Sequence, residues 1–362
     1  MRQHLTPVLR LLLVPTLLLT GCSAGVTVQP SPAAIDAPLC PPPGIWHHRL
    51  PDPTVNDWQA SDPAGFLQRL AERPPAVIIL AEEHDSTEEH RWQLHMLAAL
   101  LGRFPGLEIG MEMVRASQQP VLDAWVAGNH SAERLLDELD WYDRWGFPSG
   151  LYLPLFDFAR MHRLPLHGLN VEPGTLQRIG ADGWDAVPPD QREGISIPAA
   201  ISDRHRQRLT DLLLQHPVPP GIDRDDYLER FIRAQTAWDR AMAQRLADAA
   251  RSAAGPVVAI VGKGHARYGE GIPAQLADLG VAPVVVLHGQ RRSDSCHNDT
   301  APAVADGLFG IASGPNDLRR QRLQLGVVLA PADGAPGLRV DQVLADSIAG
   351  QAGIQPGDRL LS

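Results

Sequence analysis

Three cysteines in 362 residues are too few for a disulfide framework, so a hydrophobic core must hold this chain together. Positive charge is also short: Lys and Arg number 32 against 42 Asp and Glu, a formal net charge of −10. That balance excludes nucleic acid as an expected partner and any electrostatic grip on anionic lipid. Past the first twenty residues no stretch is long and apolar enough to read as a membrane-spanning helix. The one Gly-x-Ser-x-Gly match, at 21–25, falls at the end of the amino-terminal apolar run and not between a strand and a helix, and no cysteine sits as a nucleophile, so nothing argues for covalent acyl transfer. What the chain does have is 44% hydrophobic and 20% charged residues, enough for a real core and outside the range of global disorder.

The amino terminus reads as an export signal. Residues 1–10 carry Arg2 and Arg10 and no acid, and residues 11–19 are apolar apart from Pro15 and Thr16. A cationic segment before a short apolar one is a signal pattern, too short to span a bilayer as a stable helix. It ends in Leu19-Thr20-Gly21-Cys22, which resembles the lipobox read by lipoprotein signal peptidase. Small residues there fit the peptidase, and the Cys22 thiol supplies the sulphur that is acylated. Cys22 is therefore the expected lipidation site, with palmitate among its chains; several chains on one residue anchor far longer than one. Ser23 follows, where lipoproteins retained in the inner membrane usually carry Asp, so the outer membrane is favoured. Loss of Arg2 and Arg10 takes the net charge from −10 to −12. With Cys22 lipidated, Cys40 and Cys296 could pair in an oxidising periplasm, but both lie in irregular segments and nothing in the pattern supports the bridge.

Five segments follow from composition and periodicity: a signal peptide at 1–21, a Pro/Ser-rich tether at 22–45, an α/β domain at 46–290, a linker at 291–320, and a β-rich tail at 321–362. Within the third, apolar runs at 76–80, 107–113, 164–171, 256–261 and 282–287 predict strands. Helical patterns cover 86–104, 118–127, 204–215 and 225–251, the first with Ser86 and Glu89 as a capping box and Leu94, Leu97, Ala98 and Leu101 on its apolar face. Strand–helix alternation predicts a mainly parallel sheet flanked by helices, with a helical side domain. The tail, through "AGIQPGD" at 352–358, resembles the first half of a PDZ domain. Either the sequence stops short of the rest or the module is incomplete; an incomplete one would lack one wall of the peptide groove, so peptide binding by strand addition is not assumed.

Chemistry gathers where these strands end. One runs into Glu82, Glu83, His84 and Asp85; the next delivers Glu112; a third ends at Asn170 and Glu172; a fourth opens into Gly262, Lys263, Gly264 and His265. In an open parallel sheet the ligand crevice lies at the carboxyl ends of the strands, so Glu82, His84, Glu112, Asn170 and His265 should converge there. Glycines at 262 and 264 are expected to turn the backbone sharply and leave His265 uncovered.

At these residues the sequence resembles the ChaN family of haem-binding uptake lipoproteins, within the Tiki/erythromycin-esterase-like superfamily. The matching stretches are "AEEHDSTEEH", "GMEMVRASQQPVLDAWVAG", "LHGLNV", "AQTAWDRAMA" and "GKGHARYGEGIP", in family order over residues 77–276. Ala81 stands where the family usually has Gly, Glu83 for Asn or Ser, and Lys263 for Asn. The resemblance implies an α/β domain with a helical side domain, and haem bound where two protomers meet, hence a homodimer.

Two functions follow. The first is haem binding in iron uptake, which needs an apolar cleft, an axial ligand and cations for the propionates. Tyr268, Tyr227 and the crevice histidines, His265 among them, are candidate ligands, and Lys263 or Arg267 candidate propionate contacts. With no Cys-x-x-Cys-His, haem would not be covalently attached. The second is a hydrolase using Glu82, His84, Glu112 and His265, with one His as general base toward water. In a variant of it, His84, Glu112 and His265 bind a divalent metal that acidifies water.

Overall fold

The computed structural model describes residues 41–52, 58–214, 222–291, 303–312, 326–331, 338–344 and 347–360. The signal, the lipobox with Cys22, most of the tether, and both Cys40 and Cys296 lie outside the described residues. In chain order the elements are β1 (Trp46–His48), β2 (Gln59–Ser61), α1 (Pro63–Glu72), β3 (Val77–Glu82), α2 (Thr87–Arg103), β4 (Glu108–Arg115), α3 (Gln119–Val126), α4 (Ala132–Glu138), α5 (Trp141–Arg144), α6 (Ser149–His162), β5 (Leu166–Asn170), α7 (Pro173–Asp182), α8 (Asp203–Leu214), α9 (Arg224–Ser252), β6 (Val257–Gly262), α10 (Ile272–Asp278), β7 (Val284–Arg291) and β8 (Gly307–Ile311).

These form an eight-stranded sheet in the order β2-β1-β8-β7-β3-β6-β4-β5. From β8 to β5 the strands are parallel; β1 runs antiparallel to both of its neighbours, so the sheet is mixed. β3 shows why its apolar run is unbroken. Ile78 and Leu80 pack on one face with Phe66 and Leu97, while Val77, Ile79 and Ala81 pack on the other with Met242, Leu246 and Leu276. A strand buried on both faces has no polar alternation to show. Helices α1, α2, α3 and α6 cover the first face; α9 and α10 cover the second, with α7 and α8 packed on α9. Among the described residues no helix is long and apolar enough to cross a membrane.

Three expectations need correction. Residues 307–311, inside the expected linker, form β8, hydrogen-bonded between β1 and β7. In α2 the buried face runs through Trp92, Met96, Leu97 and Leu100, while Ala98 is exposed. The capping box is half made: Ser86 Oγ accepts from Glu89 N–H at 3.3 Å, but the Glu89 carboxylate turns to Lys263 and to Glu83 N–H.

The tail contains β9 (Val327–Pro331), β10 (Leu338–Val343), α11 (Ile348–Gln351) and β11 (Arg359–Leu360), with β10 antiparallel to both other strands in a separate three-stranded sheet.

Candidate functional site

The parallel register brings the strand ends together: Glu82, the last residue of β3, is paired with Gly262, the last of β6, and β4 beside β6 carries Glu112. Glu112 is the hub. Its Oε2 accepts from Gly262 N–H at 2.5 Å. Its Oε1 faces two imidazoles, with Nε2 of His265 at 3.4 Å and Nε2 of His84 at 3.9 Å. Each ring is held at its other nitrogen by a further carboxylate, His84 Nδ1 by Glu82 Oε1 at 2.7 Å and His265 Nδ1 by Asp239 Oδ1 at 2.6 Å. Acid and imidazole thus alternate along Glu82, His84, Glu112, His265 and Asp239. Asn170 stands behind, donating from Nδ2 to the Glu112 carbonyl at 2.8 Å.

Gly262 is required by close approach and not by a turn. A Cβ there would lie 2.6 Å from His84 Cε1. His265 is buried, contrary to the expectation that the glycines uncover it. Trp238 packs edge-on against its ring at 4.6 Å, and Trp145 does the same to His84 at 4.8 Å. His84, its side chain 28% exposed, is the member of the chain that solvent reaches.

Burial alone would keep His265 neutral, but the charges of Glu112 and Asp239 outweigh it and push the imidazole up to about 10. His265 is therefore a cation at neutral pH and no general base there. Burial also works against a charged His84; the Glu82 hydrogen bond and the Glu112 charge overcome it and raise this ring as well. Glu112 resists burial through His265 and stays below the usual carboxylate range, whereas burial raises Glu82.

The expected cofactor contacts divide. Lys263 points inward: its ammonium lies 2.9 Å from Glu89 Oε2 and donates to the Gly289 carbonyl, so it is committed to a buried ion pair and not to a propionate. His265, enclosed by Glu112 and Asp239, is unsuited to be an axial ligand. Arg267 is partly exposed and pairs with Glu83 at 2.6 Å. Tyr227 is half-buried in the first turn of α9. Tyr268 is half-buried with a left-handed backbone (φ 65°), and the Arg208 guanidinium lies 4.6 Å from its ring centroid. His84, Glu112 and His265 do meet, yet among the described residues no group of three or more His, Cys, Asp or Glu is disposed to hold a metal ion.

Sequence reasoning missed Asp239, Trp145, Trp238, Arg204 and Arg208. For Asp239 a signal existed: it shares a helical face with Ala243 and Leu246, both buried, and an acid on an apolar stripe demands a partner.

Comparison with known proteins agrees with this architecture. No curated protein matches the chain. Among solved structures, ChaN of Campylobacter jejuni with cofacially bound haem superposes with a TM-score of 0.55 at 17% identity, covering 72% of this chain and 96% of that one. A mutant erythromycin esterase, EreC, in its open conformation gives 0.40 at 14% identity over 68% and 77%. The type III effector HopBA1 gives 0.41 at 13% over 69% and 92%. The first shows a shared fold; the other two are too distant to carry an argument. The family described as haem-binding uptake, Tiki superfamily, ChaN matches residues 67–276. The chain belongs to the ChaN family of the Tiki superfamily.

Proposed function

We propose that this chain binds haem beside the crevice through Tyr268 and serves haem or iron uptake from a lipid anchor on Cys22 at the outer membrane. The observation that carries the reading is Tyr268 itself. An aromatic residue held at φ 65° costs about 1–3 kcal/mol, a strain that persists only where the surroundings impose it. Here they present a phenol beneath guanidinium groups. Arg208 lies 4.6 Å and Arg204 6.0 Å from the ring centroid, and both are ion-paired to the buried Glu270. A tyrosine phenol is an oxygen donor of the kind that ligates haem iron. Arginine also matches carboxylates geometrically, so Arg204, Arg208 and Arg267 fit the propionates better than the buried Lys263 does. Haem supplies the iron when bound; the chain supplies a phenol oxygen and cations. A second protomer over the half-exposed ring would complete the enclosure. We read the C-terminal sheet as the opening of a PDZ-like module.

Haemin titrated into the full chain should give a saturable, shifted Soret band. Uptake no tighter than that of an unrelated acidic protein would end the proposal.

A hydrolase is the second reading, favoured by the alternating carboxylate–imidazole chain. Its accessible end is His84, oriented by Glu82 and able to exchange protons with a substrate or water. Ester or peptide turnover lost in His84→Ala supports it; no turnover above a heat-denatured control removes it.

A further inference from the structure

A cavity of about 360 Å³ lies between α2, the end of β8 and the chain just ahead of β1. That is within the range of small-molecule sites, roughly 300–1,000 Å³. Pro43, Phe309 and Ile311 give it apolar walls, and all three lie outside the span shared with the ChaN family. The α2 side presents Glu88 and, one turn on, Trp92. Glu88 is the anomaly. It is 8% exposed, yet among the described residues its carboxylate makes no hydrogen bond or ion pair. Oε2 is sealed from solvent and Oε1 is not, so one unpaired oxygen stays open where the residue lines the cavity. Arg91 and His95 stand at the rim, both exposed, and neither pairs with it. A carboxylate this buried is normally paired, and here the partner has to come from outside the protein.

We infer that this cavity binds an organic amine with a flat apolar body, its ammonium donating to Glu88. One carboxylate offers too few oxygens for a hard metal ion, whereas an ammonium is served by a single strong acceptor. Aromatic side chains beside the acid favour an organic cation further, and Trp92 and Phe309 supply them. The body of the ligand lies against Phe309, Ile311 and Pro43. The site goes beyond haem binding and does not depend on it.

Calorimetric titration of the full chain with 2-phenylethylamine tests this. Saturable one-to-one binding with Kd below about 1 mM is expected for a ligand of this size. Two comparisons should each weaken binding about tenfold or more, the loss that follows from one unmade charge-assisted hydrogen bond. They are Glu88→Gln, and the neutral 2-phenylethanol on the unaltered chain, a comparison immune to misfolding. Arg91→Gln should bind the amine as tightly or more so, because a competing cation leaves the rim. Thermal unfolding of Glu88→Gln without ligand should show no loss of stability, since no internal partner is forfeited. Saturating haemin should leave the titration unchanged. Absence of saturable binding, equal binding of amine and alcohol, indifference to Glu88→Gln, a destabilised Glu88→Gln, weaker binding in Arg91→Gln, or displacement by haemin would each overturn the inference.

Discussion

His265 Nδ1 donates to Asp239 Oδ1 across 2.6 Å, with both side chains buried and Glu112 Oε1 3.4 Å from the ring's other nitrogen. An imidazole between two carboxylates holds its proton, so this contact sets the charge of the whole site. It also ties stability to pH. His265 is raised from 6.5 in the unfolded chain to about 10 when folded. A group raised in this way contributes fully below its unfolded value and loses that contribution as pH climbs through its folded one. His84 shifts in the same direction. The lowered imidazoles of His48, His90 and His205 act below 6.5, and the lowered Glu112 acts below 4.5. Between pH 6.5 and 10 the urea midpoint should therefore fall steadily, and His265→Gln should flatten the slope. A midpoint that is level or rising over that range contradicts the charged His265.

Asp239→Asn removes one of the two charges that hold the His265 proton. Breaking one side of a buried pair costs about 3–5 kcal/mol, and the loss should appear in denaturant unfolding at pH 7. The His265 imidazole, followed by NMR, should titrate at lower pH than in the unaltered chain. An unchanged titration would mean that Asp239 is a bystander.

Lys263 and Glu89 tie the β3–α2 turn that carries His84 to the β6 turn that carries His265, since Glu89 Oε2 also accepts from Glu83 N–H at 2.8 Å. Lys263→Met strands a buried carboxylate and should cost about 3–5 kcal/mol. Lys263→Met with Glu89→Gln should be more stable than Lys263→Met alone, because the orphaned charge is gone. Additive losses in that cycle would show that the two residues do not act as a pair.

Gly262→Ala forces its new methyl onto His84, 2.6 Å from Cε1. Overpacking of this kind costs about 1–3 kcal/mol, and here it should also displace the His84 ring from Glu82. Denaturation and the His84 chemical shifts should both change; stability lost without a His84 shift would place the clash elsewhere.

How much of this could be read from the residues depends on where each signal lives. The buried parallel strands were legible because burial on both faces removes all polar alternation, as in Val77 to Ala81. The convergence of Glu82, His84, Glu112 and His265 followed from topology alone, since parallel strands end on one side. β8 was not legible: Gly307-Leu-Phe-Gly-Ile311 is short, glycine-rich and bordered by turn residues, and only its place between β1 and β7 makes it a strand. Nor were the partners of Lys263 and Tyr268. Glu89 reads locally as a helix cap, and Arg208 lies sixty residues before Tyr268 on another helix; such contacts are fixed by packing and leave no mark in local spacing.

The central claim rests on Tyr268, and haemin titration of the full chain beside Tyr268→Phe, read by absorption, tests it most directly. The account predicts a saturable Soret shift in the unaltered chain and at least about a tenfold weaker or spectrally altered complex when the phenol oxygen is removed. Identical spectra and affinities for the two proteins would contradict it.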